Sequence, residues 1–318
     1  MSEFRLDASP ETVRWGRFDA AFPPVLTIGS GDTVTISTAT ADTEQLPPAN
    51  SSLTVPESLL AIHKKVERNV GPPHILTGPI ALRGAKPGDV LEVRIQAIEL
   101  GYDWGYNQMR AGGGALPEDF PESRIIVIPI DRERRVGRLP WKEEIPLRPF
   151  FGIMAVAPPP DLGAVSSAPP RRCGGNMDNK ELVPGATLYL PVQVDDALFS
   201  VGDGHAVQGD GEVCQTALET GLVGTFEFHL RKDWSLEWPI AETPTHWITM
   251  GFDPDLNLCV KIALREMIKL LCSRTGISRE DAYTLCSLAA DLRVSQVVNG
   301  SKGIHVMLEK RYFGTSLA

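Results

Sequence analysis

Apolar and polar side chains alternate along most of this chain, and that period of two predicts strands for its first 250 or so residues. Val34 and Ile36 alternate with threonines behind a Gly29-Ser30-Gly31-Asp32 turn, an early strand. Val93 and Ile95 flank Arg94 within Val90–Leu100, and the turn Lys86-Pro87-Gly88-Asp89 links that segment to Ile80–Arg83, so the pair reads as a hairpin with one wet face. Arg124–Ile130, Gly152–Ala157, Thr187–Val192, Ala197–Val201 and His246–Gly251 are further strands. In Leu222–Leu230, Gly224, Phe226, Phe228 and Leu230 form one strongly apolar face. Two stretches read as loops: residues 38–57, poor in large apolar side chains, on the surface, and Tyr102–Gly114, mobile beside a pocket. Pro56–Asn69 reads as a short helix.

Only late does the spacing lengthen to that of a helix. Leu256–Cys272 carries apolar residues at helical intervals, and Ser278-Arg279-Glu280-Asp281 opens a second helix running to about Ala290, with Thr275-Gly276 closing the pair. Short β-like runs return around Asn299-Gly300 in Leu292–Tyr312. The class is mainly β with a C-terminal α+β portion. Pro158-Pro159-Pro160 and Ser166–Pro170 mark a linker or an extended surface run, which divides the chain into residues 1–160 and 161–318 unless the two intertwine.

Composition narrows the partners. Lys and Arg total 31 against 40 Asp and Glu, a formal charge of −9, so there is no electrostatic footprint for a phosphate backbone and nucleic acid is excluded. The polar N-terminus has no apolar export core and no run approaches a membrane span, which predicts a soluble cytoplasmic protein. The five dispersed cysteines lack a CxxC pair and read as reduced thiols.

Candidate chemistry concentrates between Arg171 and Glu219, where Asp, Glu, His, Asn and Gly interrupt short apolar runs. Asp203 and His205 share a face if their strand continues past Gly202, and an antiparallel return across the loop after His205 brings Glu219 to the same face. Each residue has a plainer reading. His205 also suits a hydrogen-bonded loop, Asp178 a cap on the turn at Asn179–Leu182, and at least one of Asp203, Asp210 and Glu212 a turn among glycines. Glu219 lies where an apolar element should continue, so it either faces solvent or is buried with a partner. A thiolate mechanism through Cys173 or Cys214 lacks a base at suitable spacing, Lys180 being the only lysine of the stretch. Gly112-Gly113-Gly114 is not followed by the Lys-Ser/Thr of a nucleotide loop.

GGNMD (174–178), TLYLPV and ALFSVGDGHAVQGDGE (187–212), and Thr216-Ala217-Leu218-Glu219 together resemble the acetamidase/formamidase family of amide hydrolases. The likeness extends to His74 with TGPI (77–80), to PGDVLEV (87–93) and to residues 291–308. The resemblance implies a β-sandwich or barrel-like core with the late helical hairpin, and metal-assisted hydrolysis of a short aliphatic amide. It also implies a homo-oligomer, expected as a dimer or tetramer. Carried over by motif, Asp178, Asp203, His205 and Glu219 are the expected ligands of a divalent metal, first of all zinc, while Glu212 and Asp210 are the expected catalytic carboxylates. Asn176, His74 and Trp104 are expected at the substrate, a small neutral amide; His74 alternatively braces its turn. Family members often carry His where this chain has Cys173. Two other readings stay open: a larger amide or lactam, with Trp104, Tyr106 and Trp141 setting pocket size, and a non-catalytic binding protein on the same scaffold.

Overall fold

Strands of period two become two large sheets packed face to face, one of nine strands and one of eleven, in a computed structural model that describes residues 1–68, 72 and 74–314. At the centre of the first sheet Leu222–Arg231 lies antiparallel to Val90–Leu100, with Phe226 opposite Ile95 and Phe228 opposite Val93. Their apolar face meets the second sheet, where Phe199 packs 5.2 Å from Phe228 and Phe151 packs 5.4 Å from Phe226 between ring centroids. Val223, Thr225, Glu227 and Arg94 face outward, as the alternation predicts. Each strand order runs between open edges, so neither sheet closes into a barrel.

Both sheets draw strands from either side of residue 160. Val90–Leu100 is bonded to Thr187–Pro191 and Leu222–Arg231, and Phe150–Ala155 to Phe199–Val207. No helix among the described residues is long and apolar enough to cross a membrane.

Three local expectations are corrected. The turn at Lys86–Asp89 is a corner between sheets rather than a hairpin: Ile75–Leu82 is buried along its whole length and bonds to Phe199–Val207, not to Val90–Leu100. An unbroken apolar run has two faces to cover, which a one-faced hairpin partner cannot do. Residues 38–57 are only partly on the surface. Thr38, Ala39, Thr40, Ala41, Asp42 and Gln45 are buried, their small or internally bonded side chains needing no large apolar neighbour: the Asp42 carboxylate accepts from Thr43 N, and Gln45 Oε1 accepts from Asp42 N. Within the expected loop at Tyr102–Gly114, Trp104–Met109 is a strand paired to Arg124–Asp131, its aromatic residues suiting a pleated surface.

The helices form where spacing and caps place them. Glu57–Lys65 is the short early helix; Asn69, its expected end, lies outside the described residues. Leu256–Thr275 begins at Asp255, whose carboxylate accepts from Asn257 N, and ends at Gly276 in the left-handed region. Ser278 caps Arg279–Ala289 by accepting from Asp281 N. Cys259, Ala263, Met267 and Leu271 pack this unit on Ile304, Val306 and Leu308.

Candidate active site

Phe199–Val207 carries the site because it runs through the interior of the second sheet, between Phe150–Ala155 on one side and the short strand Leu218–Glu219 on the other. Alternation puts Asp203 and His205 on one face, with Asp203 Oδ2 3.2 Å from His205 Nε2. The antiparallel register sets Glu219 directly opposite His205, its Oε1 3.3 Å from the same nitrogen. Asp178, just past the strand Gly174–Asn176, adds Oδ1 at 4.0 Å. Asn179 rather than Asp178 serves the following turn, since Asn179 Oδ1 accepts from Glu181 N, and Asp178 is left free for the cluster. Glu212 reaches in from the loop that follows the strand; one carboxylate oxygen of Glu212, one of Glu219 and a ring nitrogen of His205 all lie within 4.8 Å of one another, as do the corresponding atoms of Asp178, Asp203 and His205.

Gly152 leaves the space these groups share. A Cβ there would lie 2.5 Å from Asp178 Oδ1, 2.7 Å from Asp203 Oδ2 and 2.8 Å from His205 Cε1. Behind the imidazole, Gln208 fixes the tautomer. Its Nε2 donates to the carbonyls of Asp178 and Ser295, so its Oε1 faces His205 and accepts from Nδ1–H at 2.9 Å. The Nε2 lone pair of a neutral His205 is thereby turned toward the carboxylates.

The electrostatics are those of a site short of positive charge. Burial pushes Asp178 and Glu219 each up to about 7, against the pull of His205 and with Asp203 adding like charge. Burial and Asp178 raise Glu212 well above the ordinary carboxyl range. Burial alone would lift Asp203, but His205 and His74 hold it below its usual value. His205 is raised in turn: burial would lower it, and Glu219 and Asp203 prevail. Asp178 Oδ1, His205 Nε2, Glu212 Oε2 and Glu219 Oε2 are buried without a hydrogen-bond partner. Orphaned donor atoms around a gap, with one imidazole oriented from behind, fit a divalent ion. Nitrogen and oxygen donors bound at about 2.0–2.1 Å around a tetrahedral centre lie roughly 3.3 Å apart, close to two of the three separations from His205.

A cavity of about 340 Å³ opens beside the cluster, lined by His74, Tyr106, Arg110, Asn176 and Asn299 among others, with Asp203, Glu212 and Glu219 in its wall. His74 lines the cavity, and its Nδ1 lies 2.9 Å from Ser167 Oγ rather than on its own turn, burial lowering its pKa. Asn176 donates from Nδ2 to Ala168 O, leaving Oδ1 without a partner.

Two expected site residues lie elsewhere. Trp104 is wholly buried, its indole donating to Thr54 O, because large aromatic surface is better placed in the core. Tyr106, two residues along the same strand face, lines the cavity instead, its hydroxyl kept protonated by burial and by Glu219. Asp210 is exposed and paired with Lys180 at 2.9 Å, the turn residue of its loop. Cys173 belongs to the apolar core, burial pushing its thiol up to about 11, and Cys214 accepts a hydrogen bond from Asn107 Nδ2 without lining the cavity. Trp141 is exposed and also outside it.

Sequence reasoning missed Gln208, Tyr106 as a lining residue rather than a size guess, Arg110 and Asn299. Asn299 Nδ2 donates to Asp178 Oδ2 from a segment whose sequence suggests only short β-like runs. For Gln208 the available signal was its place three residues after His205, just past the end of the strand Phe199–Val207.

Residues 5–168 and 162–308 match the model of the acetamidase/formamidase family. An acetamidase of Bacillus halodurans of known structure superposes with a TM-score of 0.85 at 31% identity, covering 99% of this chain and 100% of that one. A formamidase of Methylophilus methylotrophus is 31% identical over 191 aligned residues, covering 44% of this chain and 47% of that one, so this chain spans about half of that relative's length. A putative formamidase of Schizosaccharomyces pombe is 30% identical over 291 aligned residues, 68% and 71% of the two chains. Matched in sequence along nearly its whole length and in fold throughout, the chain belongs to the acetamidase/formamidase family.

Proposed function

We propose that this protein hydrolyses a small linear amide to a carboxylate and ammonia with the help of a divalent metal, zinc first. The observation that carries the reading is the buried cluster of Asp178, Asp203, His205, Glu212 and Glu219, whose orphaned atoms face one another beside a cavity. The names of the relatives, formamidase and acetamidase, agree with it.

Amides resist water because nitrogen donates into the carbonyl, so the reaction needs a nucleophile, a stabilised oxyanion and a proton for the departing nitrogen. Asp178, Asp203, His205 and Glu219 would hold the cation, which when bound supplies an activated water and polarises the carbonyl. Glu212, with its carboxyl raised by burial, is suited to take the water's proton and deliver it to nitrogen as the C–N bond breaks. Asn176 Oδ1, its amide turned by the bond to Ala168, is the acceptor left for an N–H of the substrate. Tyr106 stays a phenol and so a hydrogen-bond donor in the cavity wall. The test is ammonia release from formamide and acetamide before and after chelation, with metal analysis on the same samples. Activity is expected to vanish with the metal and return with zinc; full turnover in verified metal-free protein would sink the mechanism.

A further inference from the structure

One cation lines the acidic cavity, and nothing in the described residues occupies it. Arg110 projects from the end of the strand Trp104–Met109, half-buried. Its Nε donates to Gln108 Oε1 at 3.2 Å. Gln108 is held in turn by Gln45, whose Nε2 donates to the same oxygen, and by its own Nε2 donating to Glu44. The stem of the arginine is therefore tethered, while the two terminal nitrogens have no hydrogen-bond or ion-pair partner among the described residues. Asp203, Glu212 and Glu219 line the same cavity, yet none is within ion-pair reach of the guanidinium.

Gln215 stands at the same wall. It adopts φ 94 without being glycine, and its side-chain amide packs on Gly113, whose N–H donates to Arg110 O. A non-glycine residue held in that region is strained, and such strain persists where the surroundings impose it. Its Oε1 is buried without a partner.

The cavity is also larger than the smallest amides require. A water takes about 30 Å³ of the liquid, and formamide or acetamide is only a few times that size. About 340 Å³ leaves room for a short chain beyond the amide.

We infer that Arg110 receives a carboxylate borne by the substrate itself, so that the preferred substrate class is the monoamide of a short dicarboxylic acid. A planar guanidinium with both terminal nitrogens free matches a carboxylate with two parallel hydrogen bonds, which a lysine could not reproduce. This inference rests on the amide-hydrolase reading and deepens it, replacing the neutral amide expected from net charge by an anionic one. Net charge describes the whole surface, whereas recognition is set inside the cavity. The balance of the reaction is unchanged: water oxygen bonds to the amide carbon, the C–N bond breaks, nitrogen leaves as ammonia, and the product is the dicarboxylate.

The test compares malonamate, succinamate and glutaramate with their neutral diamides on the metal-loaded full chain, in the native protein and in Arg110→Gln and Arg110→Lys. One length of monoamide is expected to exceed its neutral partner in kcat/KM by about tenfold or more, chiefly through KM. Raised salt should shrink that ratio. Arg110→Gln should bring the ratio close to one, and Arg110→Lys should restore part of it. The inference is overturned if the native protein favours the neutral partner at every length, or if Arg110→Gln lowers both substrates equally. The second outcome would make Arg110 a counter-charge for the acidic cluster. Hydrolysis of neutral amides alone defeats this inference and spares the proposed function; hydrolysis of neither class defeats both.

Discussion

The active-site stretch and the helical hairpin of Leu256–Ala289 obey local rules to very different degrees. In the hairpin each helix starts at a side-chain cap, the turn uses a left-handed glycine, and no buried side-chain atom lacks a partner among the described residues. In the site, Asp178, Asp203, Glu212 and Gln215 all have positive φ without being glycine, and four donor atoms of the cluster are orphaned. A conformation that opposes local preference must be held by the surrounding fold, and here the second sheet holds it. Strain and unsatisfied polarity therefore mark where binding energy is to be recovered from something outside the chain.

The largest test of that contrast fills the gap. Gly152 has an ordinary backbone conformation, so Gly152→Ala has no backbone reason to misfold, but its methyl would occupy the space shared by Asp178, Asp203 and His205. Gly152→Ala, like His205→Ala and Glu219→Ala, is expected to lose metal and to lower turnover by at least about a hundredfold. Glu212→Gln should keep metal while kcat falls by about 10²–10⁴, the loss expected for a missing proton carrier. Metal content measured beside kinetics separates the two kinds of variant. Wild-type metal stoichiometry in Gly152→Ala would refute the cradle.

A smaller effect is written into the pH dependence of stability. In the metal-free chain Asp178 and Glu219 titrate at about 7, whereas unfolded carboxyls titrate near ~4. Between those values the folded chain binds more protons than the unfolded one, so these groups make stability fall as pH rises, by up to about 1.4 kcal/mol per pH unit for each group. A cation replaces the protons, and its grip strengthens as they leave. Thermal unfolding of metal-loaded and chelated protein should therefore show a gap in Tm that widens as pH rises from about 5 to about 7. A gap that narrows over that window contradicts the assignment of these carboxyls to a metal.

Much of this contrast was legible in the sequence, and the exceptions have physical causes. Asp203, His205 and Glu219 came together as alternation and antiparallel pairing require, because both rules act over a few residues. The late helices were legible for the same reason. Trp104 and Asp210 were misplaced because residue type and motif do not say how far along an element the site lies; on the face the two aromatics share it is Tyr106, paired opposite Glu219, that reaches the cavity wall, and a turn sent Asp210 to Lys180. Gln208 and Asn299 reach His205 and Asp178 through contacts that no local period encodes. A tight turn such as Lys86–Asp89 looks the same in sequence whether its strands pair as a hairpin or part into two layers, as they do here.

The smallest expected effect tests the well-behaved half of the comparison. Ser278 accepts from Asp281 N at 3.0 Å, satisfying one of the free amides at the start of Arg279–Ala289, and its own hydroxyl bonds Asp281 Oδ2 at 2.7 Å. Ser278→Ala removes both bonds at an exposed helix start where water can replace them in part, so the loss should be near ~1 kcal/mol. In a chain of this size that is a fall in Tm of about 1–2 °C. Because the helix packs on Leu256–Thr275, and neither helix lines the cavity, metal content and kcat/KM should stay at the native level. If Ser278→Ala changed metal content or kcat/KM by more than its loss of folded protein explains, the hairpin would be coupled to the site. The division between a rule-abiding scaffold and a strained active centre would then have to be redrawn.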